Sequence, residues 1–166
     1  MKYQENLSFS HPILYVILVP IIALMGYGIV QQLVLGSPFG DQPLADHWLI
    51  ITGSLPVLIL LLLSLSRLRY RLDNSGIHYR FIPFHLREQY IGWDEVREAR
   101  IRQYDALREF GGWGIRINFS GNKAYNVIGD RGQGLEIEKK NGKKVLFSTR
   151  KPQEISRFLS GIPQKG

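Results

Sequence analysis

Two long apolar runs without a formal charge constrain the fold of this chain more than any other feature of its sequence. The first run extends from Ile13 to Leu35 and the second from Trp48 to Ser66. A helix of the 23 residues in the first run would reach roughly 34 Å, which exceeds the hydrocarbon core of a bilayer, about 30 Å thick. A segment with Pro, Gly and Asp loop signals separates the runs. We therefore predict a membrane helical hairpin with helices over residues 13–35 and 48–66.

A cleaved signal peptide is the main alternative for the first run. Such a peptide has a basic start and an apolar region of about 7–15 residues. Here only Lys2 precedes the run, and the run is longer. Pro20 and Pro56 lie inside the two runs and are compatible with spanning, because prolines are tolerated in membrane helices. The sequence therefore favours two retained spans.

Small and polar residues within the runs leave two interpretations open. Gly26, Gly28 and Gly53 either let the helices approach closely or are incidental in a lipid-facing helix. Gln31 and Gln32 are predicted to lie near the outer interface of the membrane. The runs contain no acid or base, which argues against an ion or proton pathway.

The distribution of charge predicts the orientation. Only Lys2 among the 21 Lys and Arg residues precedes residue 67, and the segment between the runs has no Lys or Arg. Arg67, Arg69 and Arg71 directly follow the second run, and basic flanks favour the cytoplasmic side. We predict a multi-pass protein of the inner or plasma membrane with both termini cytoplasmic. Residues 1–66 form the anchor in this prediction, and residues 67–166 form a cytoplasmic domain.

The basic domain shows the two-residue period of β-strands. Arg67–Leu72 alternates arginines with apolar residues, and Asn141-Gly142 predicts a hairpin with a type I′ turn. Pro152 followed by Ile155 and Phe158 predicts one C-terminal helix. The core that these strands and this helix supply predicts that residues 70–166 fold without the anchor. The candidate strands are residues 67–72, 77–85, 90–93, 96–104, 114–119, 123–128, 135–139 and 143–148, with a turn at residues 130–134.

Several strings in the domain carry a family resemblance. They are LRYRLDNSGIHYRFIPF, IGWDEV, GGWGIR, AYNVIGDRGQGLEIEKKNGKK and STRKPQEI. Together they resemble bacterial pleckstrin-homology-like (bacterial PH) domain proteins with an N-terminal two-helix membrane anchor, over residues 67–162. The resemblance implies a mainly-β domain, a PH-like seven-stranded bent barrel capped by one C-terminal α-helix, which serves as a binding platform. The first hairpin loop, residues 73–76, is acidic and has no lysine, so specific phosphoinositide binding is not expected.

The sequence offers no constellation for catalysis. The chain has no cysteine, which excludes thiolate metal sites and cysteine nucleophiles. Its four histidines, His11, His47, His78 and His85, do not have metal-ligand spacing. We therefore predict no enzyme activity, no cofactor and no metal.

Basic residues are the candidate contact residues. They are Arg67, Arg69, Arg71, Lys139, Lys140, Lys143 and Lys144. Either they contact an anionic leaflet or a partner, or the arginines only fix topology and the lysines only protect a sheet edge. Nucleic-acid binding is not expected, because Glu136 and Glu138 interrupt the lysine patch.

The predicted function is that of a non-enzymatic, membrane-anchored binding or scaffold module. Its partners would be the lipid bilayer and its anionic head groups, together with a protein partner or another copy of the chain. The alternative is a small-molecule-binding regulatory domain held at the membrane. The fold class by itself does not decide between these roles.

Overall fold

The chain divides into two compact units. The computed structural model describes residues 2–9, 12–118, 120–126 and 131–161, with only the backbone described for Asn126 and Arg131. One unit, His11–Ser64, contains the apolar helices, and the other combines the first ten residues with Leu65–Gly166. The second junction lies between Ser64 and Leu65, and the boundary predicted from the sequence lies after residue 66. The first ten residues, which the prediction assigned to the anchor, belong instead to the β unit, so the helices are an insertion within it.

The helical unit consists of two apolar helices. Helix α1 (Pro12–Ile29) continues into a π-helical turn (Val30–Val34), and α2 (Asp46–Leu65) returns. Mean hydropathy is 2.5 over Pro12–Val34 and 2.4 over Asp46–Leu65, and only 6% and 17% of the most apolar windows are buried. A helix that is apolar all round and exposed is unstable in water but suited to lipid. Both helices are thus long and apolar enough to cross a membrane.

Two glycines in the helices are sites of close packing. A Cβ added at Gly53 would lie 2.9 Å from Cδ1 of Ile29, so α2 approaches α1 there. A Cβ at Gly28 would lie 2.6 Å from Cδ1 of Phe39 in the connecting loop, whereas one at Gly26 would have no neighbour within 4 Å. Close approach of the two helices is therefore confirmed at Gly53, whereas Gly28 packs against the connecting loop and Gly26 has no such neighbour.

The two glutamines fix the loop between the helices. The Gln32 amide donates to the carbonyl oxygen of Leu44 and to Oδ1 of Asp46, both at 2.7 Å. Gln31 donates to the carbonyl oxygen of Pro38 at 3.3 Å. These side chains thus satisfy polar groups of the loop, a structural role beyond the interfacial position predicted for them.

The first sheet has four antiparallel strands in chain order. They are β1 (Tyr3–Ser8), β2 (Arg67–Leu72), β3 (Gly76–Ile82) and β4 (Gln89–Gly92). Strand β1, absent from the sequence prediction, pairs along all of β2 from Tyr3↔Leu72 to Ser8↔Arg67. The Phe9 amide donates to the Ser66 carbonyl oxygen at 3.0 Å and extends the pairing by one step.

A buried carboxylate fixes β1 in the sheet. Oε2 of Glu5 accepts hydrogen bonds from the hydroxyls of Tyr3 and Tyr70, both at 2.6 Å, and of Thr149 at 2.7 Å. Its Oε1 accepts from the Arg150 amide at 2.9 Å. Burial, reinforced by the negative charge of Glu5, raises the pKa of Tyr70 far above its usual range. Glu5 therefore links β1 to β2 and to the chain that leads into the last helix.

The second sheet has five strands in the order β5-β8-β9-β7-β6. They are β5 (Val96–Asp105), β6 (Gly114–Ile117), β7 (Lys123–Asn126), β8 (Arg131–Lys139) and β9 (Lys144–Thr149). The pairing of β7 with β9 is parallel and the others are antiparallel. A short helix, α3 (Ala106–Phe110), follows β5, and α4 (Pro152–Ser160) follows β9.

The coarse prediction of two apolar helices, a mainly-β domain and a C-terminal helix is confirmed. The described residues form nine strands in two sheets, and closure into a seven-stranded PH-like barrel stays a prediction. The core contains Phe147, whose ring stacks on those of Tyr70 and Tyr125 at centroid distances of 5.5 and 5.4 Å. Ile155 and Phe158 of α4 are buried, which confirms the predicted apolar face of that helix.

Two local predictions are wrong. Gly142 has φ +79°, but no described non-glycine residue has positive φ, so the turn at Asn141-Gly142 is not type I′. The Gly142 amide donates to the Lys139 carbonyl oxygen at 2.9 Å, as in a longer loop that ends on a left-handed glycine. Residues 131–134, predicted as a turn, begin β8 because they pair with β5. The predicted strand ends at Phe119, Val127 and Ile128, and Asp130 of the predicted turn, lie outside the described residues.

Candidate functional site

Two of the predicted arginines lie on an exposed basic face of the first sheet. Because β2 alternates, Arg67 and Arg69 point away from the core that Leu68 helps to form. Antiparallel register places Arg69 directly opposite Arg80 of β3, and all three arginines are exposed. Like charges directly opposite each other destabilise a sheet. This face is therefore suited to an anion, and sequence reasoning missed Arg80 because cross-strand register was not known.

Arg71, the third predicted arginine, has a different environment at the other end of β2. Its Nε lies 3.3 Å from Oδ2 of Asp73, and Nε2 of His78 lies 3.4 Å from the same oxygen. A hydrogen bond from the Ser75 hydroxyl, with others from backbone amides, lowers the pKa of Asp73 to about 2. The Asp73 carboxylate thus stays charged and offsets the charge of Arg71.

The four predicted lysines are together on the β8–β9 hairpin, but two of them are paired. Lys139 Nζ lies 3.2 Å from Oε2 of Glu95, and Lys144 Nζ lies 3.3 Å from Oε2 of Glu138. Lys140 and Lys143 are exposed. Surface ion pairs contribute little stability, about 0–1 kcal/mol, but they reduce the charge available to a ligand. The tip of this hairpin, Lys140–Lys143, is called the lysine tip below.

The exposed face that carries Arg67, Arg69 and Arg80 is called the arginine face below. It lies at a different end of the β unit from the lysine tip. Ser8 and Arg67 pair with each other, and from these two residues the chain leads into α1 and α2. This end of the first sheet is called the connecting end. From Arg67 to Leu72, β2 extends roughly 17 Å away from it.

Hydrogen bonds place the lysine tip near the far end of β2. Trp93 Nε1 donates to the Asp73 carbonyl oxygen at 2.7 Å. The Lys140 amide donates to the Glu95 carbonyl oxygen at 2.9 Å. The three-residue turn Trp93–Glu95 therefore joins the hairpin to the turn that follows β2, at the end opposite the connecting end.

A polar cleft of about 380 Å³ lies on the second sheet. The buried Glu136 carboxylate lines it and accepts hydrogen bonds from Arg100 at 2.8 Å and from Arg102 at 2.6 Å. Burial by itself would raise the pKa of Glu136, but the hydrogen bonds from Arg102 and Arg100 outweigh it and lower the pKa. Arg102 also lies 2.8 Å from Glu109. The cleft's arginines are thus largely neutralised by the chain itself.

The loop between β3 and β4 presents apolar side chains at the connecting end. Ile82, the last residue of β3, pairs with Arg67, so the following residues extend past that edge. Phe84 is 57% exposed and Leu86 is 86% exposed. Between them, the His85 amide donates to the Phe81 carbonyl oxygen at 2.8 Å, and Nδ1 of His85 accepts from the Phe81 amide at 3.2 Å. His85 therefore anchors a loop whose neighbouring apolar residues face solvent.

Acid is expected to weaken the hydrogen bonds by which His85 holds this loop. Burial, with a smaller effect from Lys123, lowers the pKa of His85 below its ordinary value of 6.5. At pH values between the pKa of His85 in the folded chain and 6.5, the unfolded chain therefore binds more protons than the folded chain. The protein is most stable above this pH range and loses stability as the pH falls through it. Thermal unfolding of the full chain in detergent should show this loss, and His85→Gln should remove it. An unchanged pH dependence in His85→Gln would contradict the assignment.

In the part of the chain that the structure describes, no group of three or more potential metal ligands occurs. His78 contacts Asp73 and lies 3.6 Å from Glu88, whereas His47 packs on Trp48. His11 lies outside the described residues. The ordinary structural roles of His47, His78 and His85 account for their positions.

Neither a protein-family model nor a curated protein matches this sequence. The function is therefore inferred from the residues themselves. Their most informative features are the inserted helices, the arginine face, the exposed loop at the connecting end and the separate lysine tip.

Proposed function

We propose that this chain is a non-enzymatic, membrane-anchored binding module. Helices α1 and α2 cross the bilayer as a hairpin, and the β unit lies on the cytoplasmic side. There it acts as a platform that contacts anionic head groups and a protein partner or a second copy of the chain. The PH-like barrel implied by the sequence resemblance would suit such a platform. The observation that carries the proposal is the insertion of two apolar helices between paired strands β1 and β2.

Strand pairing supports an even number of spans. Because β1 and β2 are hydrogen-bonded neighbours, both must lie on the same side of any membrane that the intervening chain crosses. An open sheet does not occur in the hydrocarbon core, where unpaired backbone groups are costly. Two spans return the chain to its starting side, and one or three would not. Both terminal segments belong to the β unit, so both lie on the same side of the membrane.

Charge supports the cytoplasmic orientation. Residues 37–47 have no Lys or Arg, whereas Arg67 and Arg69 follow α2 within four residues. Basic residues close to a span favour the cytoplasmic side. Each would attract an anionic leaflet by about 1 kcal/mol, and the attraction fades over a Debye length of roughly 8 Å.

The separation of the two basic sets supports a division of roles. The arginines at the connecting end are within a few residues of a span, so they are suited to the leaflet. The lysine tip, beyond the opposite end of β2, is suited to a protein partner or a second copy. Its two exposed lysines, Lys140 and Lys143, keep their charge available for an acidic surface.

The small-molecule alternative has one supporting feature, the polar cleft over the second sheet. Its arginines already contact Glu136 and Glu109, so a charged ligand would have to compete with well-formed ion pairs. Replacing such contacts costs desolvation on both sides. The anchored-platform role accounts for more of the observations.

Cysteine labelling tests the anchor. The native chain has no cysteine, so Asp41→Cys in the inter-helix loop and Asn141→Cys at the lysine tip each introduce a single reactive thiol. In intact bacterial cells, a membrane-impermeant maleimide should label Asp41→Cys, whereas Asn141→Cys should react only after permeabilisation. The protein should also stay in the membrane pellet after alkaline carbonate extraction. Release by carbonate, or labelling of both sites without permeabilisation, would overturn the proposal.

A further inference from the structure

Phe84 and Leu86 are exposed apolar side chains without an assigned role. Single exposed apolar residues are common on soluble proteins, but these two lie in one loop and Leu86 is 86% exposed. Their position is specific: the loop follows Ile82, which pairs with Arg67, two residues after the end of α2. The apolar loop therefore emerges at the same edge of the β unit as the chain that enters the apolar helices.

The loop is held in a defined shape. His85 exchanges two hydrogen bonds with Phe81, and its ring lies 5.9 Å from that of Tyr79 and 5.5 Å from that of Tyr125. Nε of Arg80 donates to the His85 carbonyl oxygen at 3.0 Å. The loop thus keeps Leu86 outside the core, and it leaves Phe84 57% exposed with its ring 6.0 Å from that of the buried Phe81.

Basic residues lie in this loop and on the strands beside it. Arg67 and Arg69 lie on the adjacent strand, Arg80 is attached to the loop itself, and Arg87 follows Leu86 directly. All four are exposed, and the nearest acid in sequence, Glu88, lies close to His78. Exposed apolar side chains with arginines beside them match the interface of an anionic bilayer, which offers acyl chains beneath phosphate groups.

We infer that residues 83–88 form a membrane-inserting loop, in which Phe84 and Leu86 enter the interfacial region of an anionic leaflet and Arg67, Arg69 and Arg80 contact lipid phosphates. The inference rests on the proposed function, because it takes the membrane crossed by α1 and α2 as the one that the loop contacts. It assigns the leaflet contact to the connecting end and not to the lysine tip. A lipid surface is the proposed ligand because the apolar and cationic groups occur together beside a span.

A fluorescent label on the full chain tests the inference. Leu86→Cys and Asn141→Cys, each labelled with an environment-sensitive dye, would be reconstituted in phosphatidylcholine vesicles with and without phosphatidylglycerol. With phosphatidylglycerol, the Leu86 label should be blue-shifted, quenched by doxyl-labelled lipid and protected from aqueous iodide. The Asn141 label should remain accessible to iodide in both kinds of vesicle.

Charge-matched variants test the role of the arginines. Each arginine neutralised should raise the exposed-to-inserted ratio of the Leu86 label about fivefold in vesicles with phosphatidylglycerol. Arg69→Gln with Arg80→Gln should therefore release the label. Lys140→Gln with Lys143→Gln, which removes the same charge at the lysine tip, should leave it inserted. Release by the lysine pair but not by the arginine pair would overturn the inference.

Two further results would also overturn it. One is equal iodide access for the Leu86 and Asn141 labels. The other is a Leu86 label protected from iodide but insensitive to doxyl lipid, which would mean that protein, such as a second copy, covers the loop. An Asp41→Cys label measured in the same vesicles separates these outcomes from failure of the anchor. If that label lies across the membrane from the Asn141 label, the anchor holds whatever the loop does.

Discussion

Replacing Glu5 with alanine is expected to lower the free energy of unfolding of the β unit by about 2–6 kcal/mol, because it leaves buried hydrogen-bond donors without their acceptor. The carboxylate accepts from three hydroxyls and one backbone amide. Tyr70 and Thr149 would keep buried hydroxyls without this acceptor, at a cost of about 1–3 kcal/mol for each group left unsatisfied. Because a domain is stable by only ~5–15 kcal/mol, the variant should be close to unfolding.

Thermal or denaturant unfolding of the full chain in detergent measures this loss, with Tyr ring signals reporting on the β unit. Gln4→Ala is the matched control, because Gln4 is the neighbouring residue of β1 on the exposed face. It should change stability by no more than about 0.5 kcal/mol. Glu5→Gln keeps one acceptor oxygen and should fall between the two. Equal stability of the Glu5→Ala and Gln4→Ala variants would contradict the role of Glu5.

Much of the fold was accessible from the sequence because its signals are local. Arg67–Leu72 alternates with period two, and the strand begins and ends where that alternation does. The apolar face of α4 follows from the spacing of Ile155 and Phe158. The helices lie within about two residues of the predicted 13–35 and 48–66. These patterns depend on burial of one face, which the residue types themselves record.

Strand β1 was missed because its decisive interactions are not local. Its sequence also alternates, with Tyr3, Glu5 and Leu7 buried. However, a sequence with an acid at one of the core positions is typical of a solvent-exposed segment. The acceptor role of Glu5 becomes visible only when Tyr70 and Thr149 are brought to it from distant parts of the chain. Buried acids are rare unless paired, and the partners cannot be read from the strand.

The candidate site was predicted by residue type but not by arrangement. Four of the seven basic residues named from the sequence are exposed, namely Arg67, Arg69, Lys140 and Lys143, yet sequence alone grouped Arg71 with Arg67 and Arg69. The structure pairs Arg71 with Asp73 and places Arg80 opposite Arg69. Cross-strand register and ion pairing decide which charges remain available, and neither is encoded within a single strand.

The helical hairpin should be replaceable by a two-residue turn. The Phe9 amide donates to the Ser66 carbonyl oxygen at 3.0 Å, so these residues already form the closing pair that a two-residue hairpin loop needs. Substituting Asn-Gly for residues 10–65 supplies the positive φ angles of a type I′ turn. The shortened chain should be soluble without detergent and unfold cooperatively, because β1 and β2 keep their register.

A chain that begins at Ser66 is the matched comparison for the shortened chain. It retains β2 but lacks β1, and so loses Glu5 and the buried Tyr3, Leu7 and Phe9. Burial of each of these apolar side chains contributes about 1.5–3 kcal/mol, and loss of the carboxylate adds its own cost. Together these losses approach the whole stability of a domain. The chain lacking β1 should therefore aggregate or give no cooperative transition in circular dichroism, contrary to the sequence-based expectation that residues 70–166 fold alone. If it melted at the same temperature as the Asn-Gly chain, β1 would be an accessory strand. The pairing of β1 with β2 would then no longer support an even number of spans.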